Sequence, residues 1–433
     1  MGPRRSISPK LGMGLALGAL LAWTLSLLSV AYTPRSRVLH DLNPLLAQQR
    51  FDEAELRIRR WLRERPDDIQ ANMLMAQVAL ARKDQKPRLA LKHLRMIETA
   101  DPATLAIVRL NEGKAYSALG RYNLAESSWR EALRLDPLVP EAGWALLGLF
   151  YVQGRRSDAT RLVMRLQASE PDPRDRVQLL LELVRQDAKS LVTETVVSVL
   201  EPVVVAHPED LHSRLALGKA LVQTSRCDDG LKILSELLAE HSQDLSVWDG
   251  WLRALDDSFR HEELGAALCG LPSSLAGHPA LQRHFGAFAQ SQRDWTTAAA
   301  CYRRAWDHDP TDGQSLYRLC QVLRASGSTS DLERFEQARR RFERAREQTL
   351  SLYEKANAIG DLGLVPRPDL YQEIAQSREY QGMLEEAVAW HRLVLSVEPS
   401  NEISRQAIQR LASKPGGRPP DPHHAPLAAS VLR

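Results

Sequence analysis

Paired cysteines are missing from this 433-residue chain: Cys227, Cys269, Cys301 and Cys320 stand far apart, and no CxxC pair occurs. A zinc site built on close thiolates has no ligand set here, and isolated cysteines read as small apolar residues with no redox compartment implied. Excess charge is missing too. The formal net charge is +3, and the first 37 residues hold Arg4, Arg5, Lys10, Arg35 and Arg37 with no acid, so removing those five leaves the rest at −2. A nucleic-acid binder needs a basic face beyond that balance, so nucleic acid is not expected as a partner. Catalytic signatures are absent as well: no GxSxG elbow, no HExxH, no GxxxxGK[ST] and no GxGxxG after a strand pattern. His207, His212, His241 and His261 lie near one another in sequence, but no base, nucleophile and orienting group can be placed together around them. No catalytic residue, metal or cofactor is expected.

What is present is a folding composition. Hydrophobic residues make up 44% and charged residues 26%, which sets aside a disordered or multi-span chain, and alanine, leucine, arginine and glutamate all favour helix. Residues 11–32 read LGMGLALGALLAWTLSLLSVAY, free of charge and preceded by the basic stretch MGPRRSISPK. At about 1.5 Å per residue that run spans a hydrocarbon core of about 30 Å, and it exceeds the apolar core of a cleaved signal. A retained single-pass anchor is therefore expected. Ser29 and Ala31 also stand at the −3 and −1 positions of a cleavage site, which keeps open a secreted or periplasmic protein beginning at Tyr32. The cations ahead of the span favour a cytoplasmic N-terminus, with the remaining chain on the non-cytoplasmic, periplasmic side.

Beyond the span a period emerges. A small residue, a usually apolar one four later and a proline twelve later recur, most clearly as Ala125, Trp129, Ala132 and Pro137, with Gly113 and Tyr116 ahead of them. A second copy from Pro279 to Asp312 carries Gly286, Ala289, Ala298, Tyr302, Ala305 and Pro310. Weaker copies keep the interval: Ala54 with Pro66, Ala90 with Pro102, Ala159 with Pro171, Ala267 with Pro279, and Ala387 with Pro399. Pro66, Pro102, Pro137 and Pro171 follow one another at 36, 35 and 34 residues. A degenerate copy over 211–244 keeps Leu217, Gly218 and Leu221, with Gly230 and Ser242 in place of the usual alanine and proline. These positions and this interval resemble the tetratricopeptide repeat family.

The resemblance implies an all-α fold, a right-handed α-solenoid of stacked helix-turn-helix hairpins. Packing gives the residue types a reason: Gly113, Ala125 and Ala132 let two antiparallel helices approach, Tyr116 and Trp129 fill the wider gaps, and a proline after the second helix helps stop it. Gly120-Arg121 and Gly154-Arg155 mark the turns inside two hairpins. Along the chain this gives a basic tail over 1–10, the membrane or signal segment 11–32, a linker 33–44, a first repeat block 45–173 and a second, partly degenerate block 174–312. A charged helical connector follows over 313–367, then a C-terminal repeat unit 368–412 and a disordered tail 413–433. In the connector, DLERFEQARRRFERAREQ (331–348) interleaves its signs, and Glu336 with Arg340 lies four apart, which reads as a solvated helix. His423 and His424 in the tail lack a fixed ligand set for a metal.

Binding is the function the resemblance implies, since stacked hairpins of this family expose their first helices on a concave face that suits proteins or peptides. Groove positions carried over from the family are Met75, Asn111, Lys114, Lys219, Arg283, Gln376 and Tyr380. One subgroup clamps the carboxylate of a chaperone tail with lysine, asparagine and arginine; Asn111 fits one place, but Met75, Ala79, Glu141 and Ala145 do not supply the rest. The expected protein is a non-catalytic scaffold tethered through residues 11–32, the alternatives being a cleaved adaptor of the same fold or, less favoured, an enzyme. Partner identity, pathway and oligomeric state are left open by the sequence.

Overall fold

The computed structural model describes residues 42–412 except 138, 171, 190 and 359–365. The basic tail 1–10, the apolar segment 11–32, residues 33–41 of the linker, Pro171 and the tail 413–433 with its two histidines lie outside the described residues. Among the described residues every regular element is a helix, and no helix is long and apolar enough to cross a membrane. The all-α array of helical hairpins expected from the repeat is what the chain adopts.

Two compact units divide it. The first holds α1 (Asn43–Ala47), α2 (Phe51–Glu64), α3 (Ile69–Ala81), α4 (Pro87–Leu94), α5 (Pro102–Ala118) and the later part of α6 (Tyr122–Leu135). Successive helices pack on one another, and α3 also touches α5, the next first helix in the stack. Ala54, Ile58, Ala71, Met75 and Val78 close the core between α1, α2 and α3, while Ala76, Ala79, Ala90, Leu94 and Val108 join α3, α4 and α5. Small residues matter at the crossings. A Cβ on Gly113 would enter the indole of Trp129, 2.8 Å from Cε2, and that indole donates its N–H to the Leu110 carbonyl at 3.2 Å.

The second unit holds residues 120–126 and everything after 136: α7 (Pro140–Val152), α8 (Arg156–Ser169), α9 (Pro173–Ala188), α10 (Thr193–Ala206), α11 (Leu211–Val222), α12 (Cys227–Glu240), α13 (Leu245–Asp257), α14 (His261–Cys269), a 3₁₀ turn (Pro279–Leu281), α15 (Gln282–Ser291), α16 (Trp295–His308), α17 (Gly313–Ala325), α18 (Thr329–Ala358), α19 (Pro368–Tyr380), α20 (Leu384–Val397) and α21 (Glu402–Ala412). Hairpin partners pack together as α7 with α8, α11 with α12, α13 with α14, α15 with α16 and α19 with α20. The first helices α11, α13 and α15 also touch in succession. Gly286 repeats the logic of Gly113: its added Cβ would meet Tyr302 at 2.9 Å. Gly120 and Gly154, at φ +72° and +63°, occupy left-handed turns before second helices, as their sequence context predicts.

Helix starts follow two rules. Six first helices are capped by aspartate: Asp68, Asp101, Asp172, Asp210, Asp244 and Asp312 each accept a backbone N–H from the first turn. Several second helices instead follow an arginine that pairs with an acid three residues on, as Arg50 with Glu53, Arg155 with Asp158, Arg226 with Asp229 and Arg260 with Glu263. That acid sits at the positive end of the helix dipole. Three of these arginines also reach an acid of an earlier helix: Glu126 at 2.7 Å, Glu201 at 2.8 Å and Asp228 at 2.6 Å. Pro66, Pro102 and Pro137 fall after the second helices α2, α4 and α6, as expected. Pro102 opens α5 and Pro279 opens the 3₁₀ turn, so these two act at the start of the next element, where the missing N–H costs nothing, rather than only as stops.

Regular pairing lapses over the stretch whose repeat signature is poor. Helix α9 packs on α8 and on α18, while α10 packs on α11. Helix α18 runs for 30 residues, and its charged sequence conceals a buried stripe of Phe335, Ala345, Thr349, Leu352 and Ala356 at helical spacing. Glu336 and Arg340 do pair on its outer side, at 3.4 Å. Of the cysteines, Cys301 and Cys320 are buried as expected of small apolar residues, Cys227 is half-buried and Cys269 is exposed.

Candidate functional site

Four successive first helices of the second unit, α11, α13, α15 and α17, place polar side chains at equivalent positions one repeat apart. Lys219 and Arg253 are 34 residues apart, as are Asp249 and Arg283, and His284 and Arg318. The repeat interval therefore lines them up on one helical face. Asp249 is the centre of the row. Its Oδ1 accepts from Arg283 Nη2 at 2.5 Å and from His284 Nε2 at 2.9 Å. His284 is buried, and a carboxylate can only accept, so Nε2 carries the hydrogen. Burial alone would raise the Asp249 carboxyl, but the His284 hydrogen bond and the charges of His284, Arg283 and Lys219 outweigh it and hold it well below the usual carboxylate range.

Lys219 approaches from α11 across a glycine. A Cβ at Gly250 would sit 2.8 Å from Lys219 Cε, so the lysine stem passes only because that residue has no side chain. Burial pulls the ammonium below its ordinary value, opposed by the charge of Asp249. Further along, Arg318 Nη1 meets Asp256 at 2.7 Å and Tyr302 Oη at 3.3 Å, and Tyr302 donates to Gln290 Oε1 at 2.7 Å. Burial holds the Tyr302 phenol above its ordinary value, so it stays a neutral donor. Arg253 reaches Asp257 only at 3.6 Å and leaves its guanidinium half-exposed. The row is thus a preorganised set of hydrogen-bond donors and acceptors with near-balanced charge. Nucleophile and base are not paired within it, and among the described residues no group of three or more His, Cys, Asp or Glu is arranged to hold a metal ion.

Of the seven positions expected in a groove, the structure brings two together: Lys219 and Arg283, around Asp249. Met75 is 0% exposed, in the core with Ala54 and Ile58, because α3 turns that face toward α2. Asn111 is 3% exposed, and its amide is used internally, donating to the Ile107 carbonyl at 2.8 Å. Lys114 is half-buried one turn later on α5. On α19, Gln376 is half-buried and Tyr380, four residues on, is 51% exposed. Asp249, Arg253, His284 and Arg318 escape a search based on family positions alone; the signal that finds them is the 34-residue spacing of charged residues from Lys219 and Arg283.

Comparison with known proteins supports the repeat reading in part of the chain. Residues 110–173 match the family model described as tetratricopeptide repeat. Cellulose synthase operon protein C of Xanthomonas axonopodis pv. citri (strain 306) is 30% identical over 175 residues. That match covers 34% of this chain and 11% of the curated relative, so the chain spans only a small part of that protein's length. Among solved structures, the human IFIT1 dimer with PPP-AAAA aligns at a TM-score of 0.34 and 14% identity, covering 81% of this chain and 95% of that one. The APC/C hetero-tetramer Cut9-Hcn1 aligns at 0.32 and 13% identity, covering 90% and 86%. From α5 to the start of α9, this chain is therefore similar to tetratricopeptide repeats in sequence, the same repeats its spacing brought to notice.

Proposed function

We propose that this chain is a non-catalytic scaffold that holds a protein or peptide against the first-helix face of its hairpins, tethered to a membrane through residues 11–32 with the repeats on the non-cytoplasmic side. The observation that carries the binding part is the row centred on Asp249. Lys219, Arg253, Arg283 and Arg318 come from four successive first helices, and three of them are already oriented by burial or by acids, so a partner would meet donors whose ordering cost has been met in folding. The tether rests on the length and charge-free character of the segment.

Affinity capture with full-length protein from solubilised membranes tests the binding part, comparing wild type with Arg253→Glu, a half-exposed position whose replacement leaves the core intact. A specific partner recovered by wild type and lost with the variant, at unchanged helicity, supports the row as the contact surface. Equal recovery by both refutes it. The name of the Xanthomonas relative points the first search for that partner at proteins encoded in cellulose synthase operons. For the tether, full-length protein is expected to resist alkaline extraction from membranes with its N-terminus intact. A mature protein beginning at Tyr32 would replace the anchored scaffold with a free adaptor of the same fold.

A further inference from the structure

Stacked repeats interact with their sequence neighbours, so helices two hundred residues apart ordinarily have no direct coupling. The second unit departs from that rule. Helices α8 and α9, near its start, meet α18, α19 and α20, near its end, and the meeting includes a cluster of four charges. Arg156 on α8 grips Asp187 on α9 with two parallel hydrogen bonds of 2.8 Å, and its Nη2 also donates to Glu386 Oε1 on α20 at 2.7 Å. Arg378 on α19 donates to Asp187 Oδ2 at 2.7 Å, and its Nε lies 3.7 Å from Glu386 Oε2. Each cation thus touches both anions, and the two pairings that join the ends, Arg378 with Asp187 and Arg156 with Glu386, span 191 and 230 residues of sequence.

The cluster lies deep. Arg378 and Glu386 keep 1% and 3% of their side-chain surface, with Thr160 and the Met383 thioether filling the remaining contacts. Beside it, the Lys189 ammonium at the end of α9 sits 5.0 Å from the ring centre of Tyr353 on α18. Two polar atoms, Arg378 Nη2 and Glu386 Oε2, are buried without a hydrogen bond. Taking two charges almost wholly and two largely out of water, and leaving two atoms unsatisfied, is a poor way to gain stability; a well-packed apolar patch of the same volume does better. What such a cluster does well is define one arrangement, since any slip or half-opening leaves a charge buried without its counterpart.

We propose that Arg156, Asp187, Arg378 and Glu386 form a latch that holds the α18–α20 end of this unit against α8 and α9, so that the two ends open and close together. The latch is independent of whether the row at Asp249 binds a partner.

The test uses the full-length chain. An amine-reactive cross-linker is expected to join Lys189 to Lys355 within one molecule, and absence of that link in wild type overturns the proposal without any variant. Hydrogen exchange then reads the coupling. Arg378→Met leaves the acids in excess, and amides in both 156–188 and 368–397 should exchange at least about tenfold faster while the rest of the unit is unchanged. Loosening of 368–397 alone overturns the proposal, because a local packing defect would do that. The double variant Arg378→Met with Glu386→Gln restores charge balance and should bring both segments back toward wild-type rates; rates equal to or above those of the single variant refute the charge pairing. Should Arg378→Met fail to fold, Arg156→Gln at the more exposed edge is expected to shift both segments together by a smaller factor, and a shift in one segment alone overturns the latch.

Discussion

Replacing Gly113 by alanine adds one methyl group to a helix, a change that usually stabilises, and here it should do the opposite. Alanine in a helix interior is favoured over glycine by about 1 kcal/mol. Against this, the new Cβ would enter the ring of Trp129, a side chain 4% exposed, with Cε2 only 2.8 Å away. The ring cannot turn aside freely, because its N–H is tied to the Leu110 carbonyl at 3.2 Å. Overpacking of that kind costs about 1–3 kcal/mol, and stranding a buried indole N–H costs about 1–3 more. The net expectation is a loss of about 3 kcal/mol once the helix preference is subtracted. Gly148 supplies the matched control, since it lies inside α7, is exposed, and its added Cβ would meet nothing within 4 Å. Gly148→Ala should stabilise by about 0.5–1 kcal/mol. Urea unfolding followed by far-ultraviolet circular dichroism measures both. If Gly113→Ala is neutral or stabilising, or if the two variants shift the midpoint in the same direction, the close-approach argument for these small residues is wrong.

Acid should weaken the fold before any carboxylate titrates in the ordinary range. His93, His284 and His391 are all held below the usual histidine value, chiefly by burial, so the unfolded chain takes up protons first; stability is complete above about pH 6.5 and falls as pH drops toward the folded values. A melting temperature that is flat or rises between pH 8 and 5.5 refutes this. Asp244→Ala removes the acceptor for the Ser246 and Val247 N–H groups at 2.8 and 3.2 Å and should cost about 1 kcal/mol, read from the same urea curves, whereas Asp244→Asn should cost little. Thiol reagents should modify exposed Cys269 quickly in the native protein and reach Cys301, whose thiol burial pushes up to about 11, only on unfolding; fast labelling of all four cysteines would refute the packed interior around α16.

The period announced the hairpins because each close crossing demands a specific small residue, and the demand returns with every unit. Gly113 facing Trp129 and Gly286 facing Tyr302 are one contact written twice, 16 residues apart each time, and that is what a search by interval detects. Burial was harder to read. Met75 and Asn111 fit a groove by family position, but an amphipathic helix in a stack touches its own partner and the next first helix, leaving only a narrow free stripe. One turn of error moves a residue from that stripe into the core, as it did for Met75. The polar row at Asp249 was half-visible: Lys219 and Arg283 carried the right spacing, while Asp249 and His284 look like ordinary surface residues until the fold sets them against those cations.

The four-charge cluster had no sequence signal of its own. Interval analysis compares residues one repeat apart, and Arg156 meets Glu386 across 230 residues, six or seven repeats away, where insertions such as the long α18 have already destroyed the register. The charges themselves sit in helices where other arginines form common pairs with acids three residues away, such as Arg161 with Asp158 and Arg185 with Glu182, worth little each. What separates Arg378 from those is its environment, 1% exposed beside an equally buried acid, and environment is a property of the closed unit, not of the local sequence. A chain built by repetition is legible as far as its nearest neighbours reach. Where distant helices meet, the sequence states which residues are available and the packing alone states which of them are spent on one another.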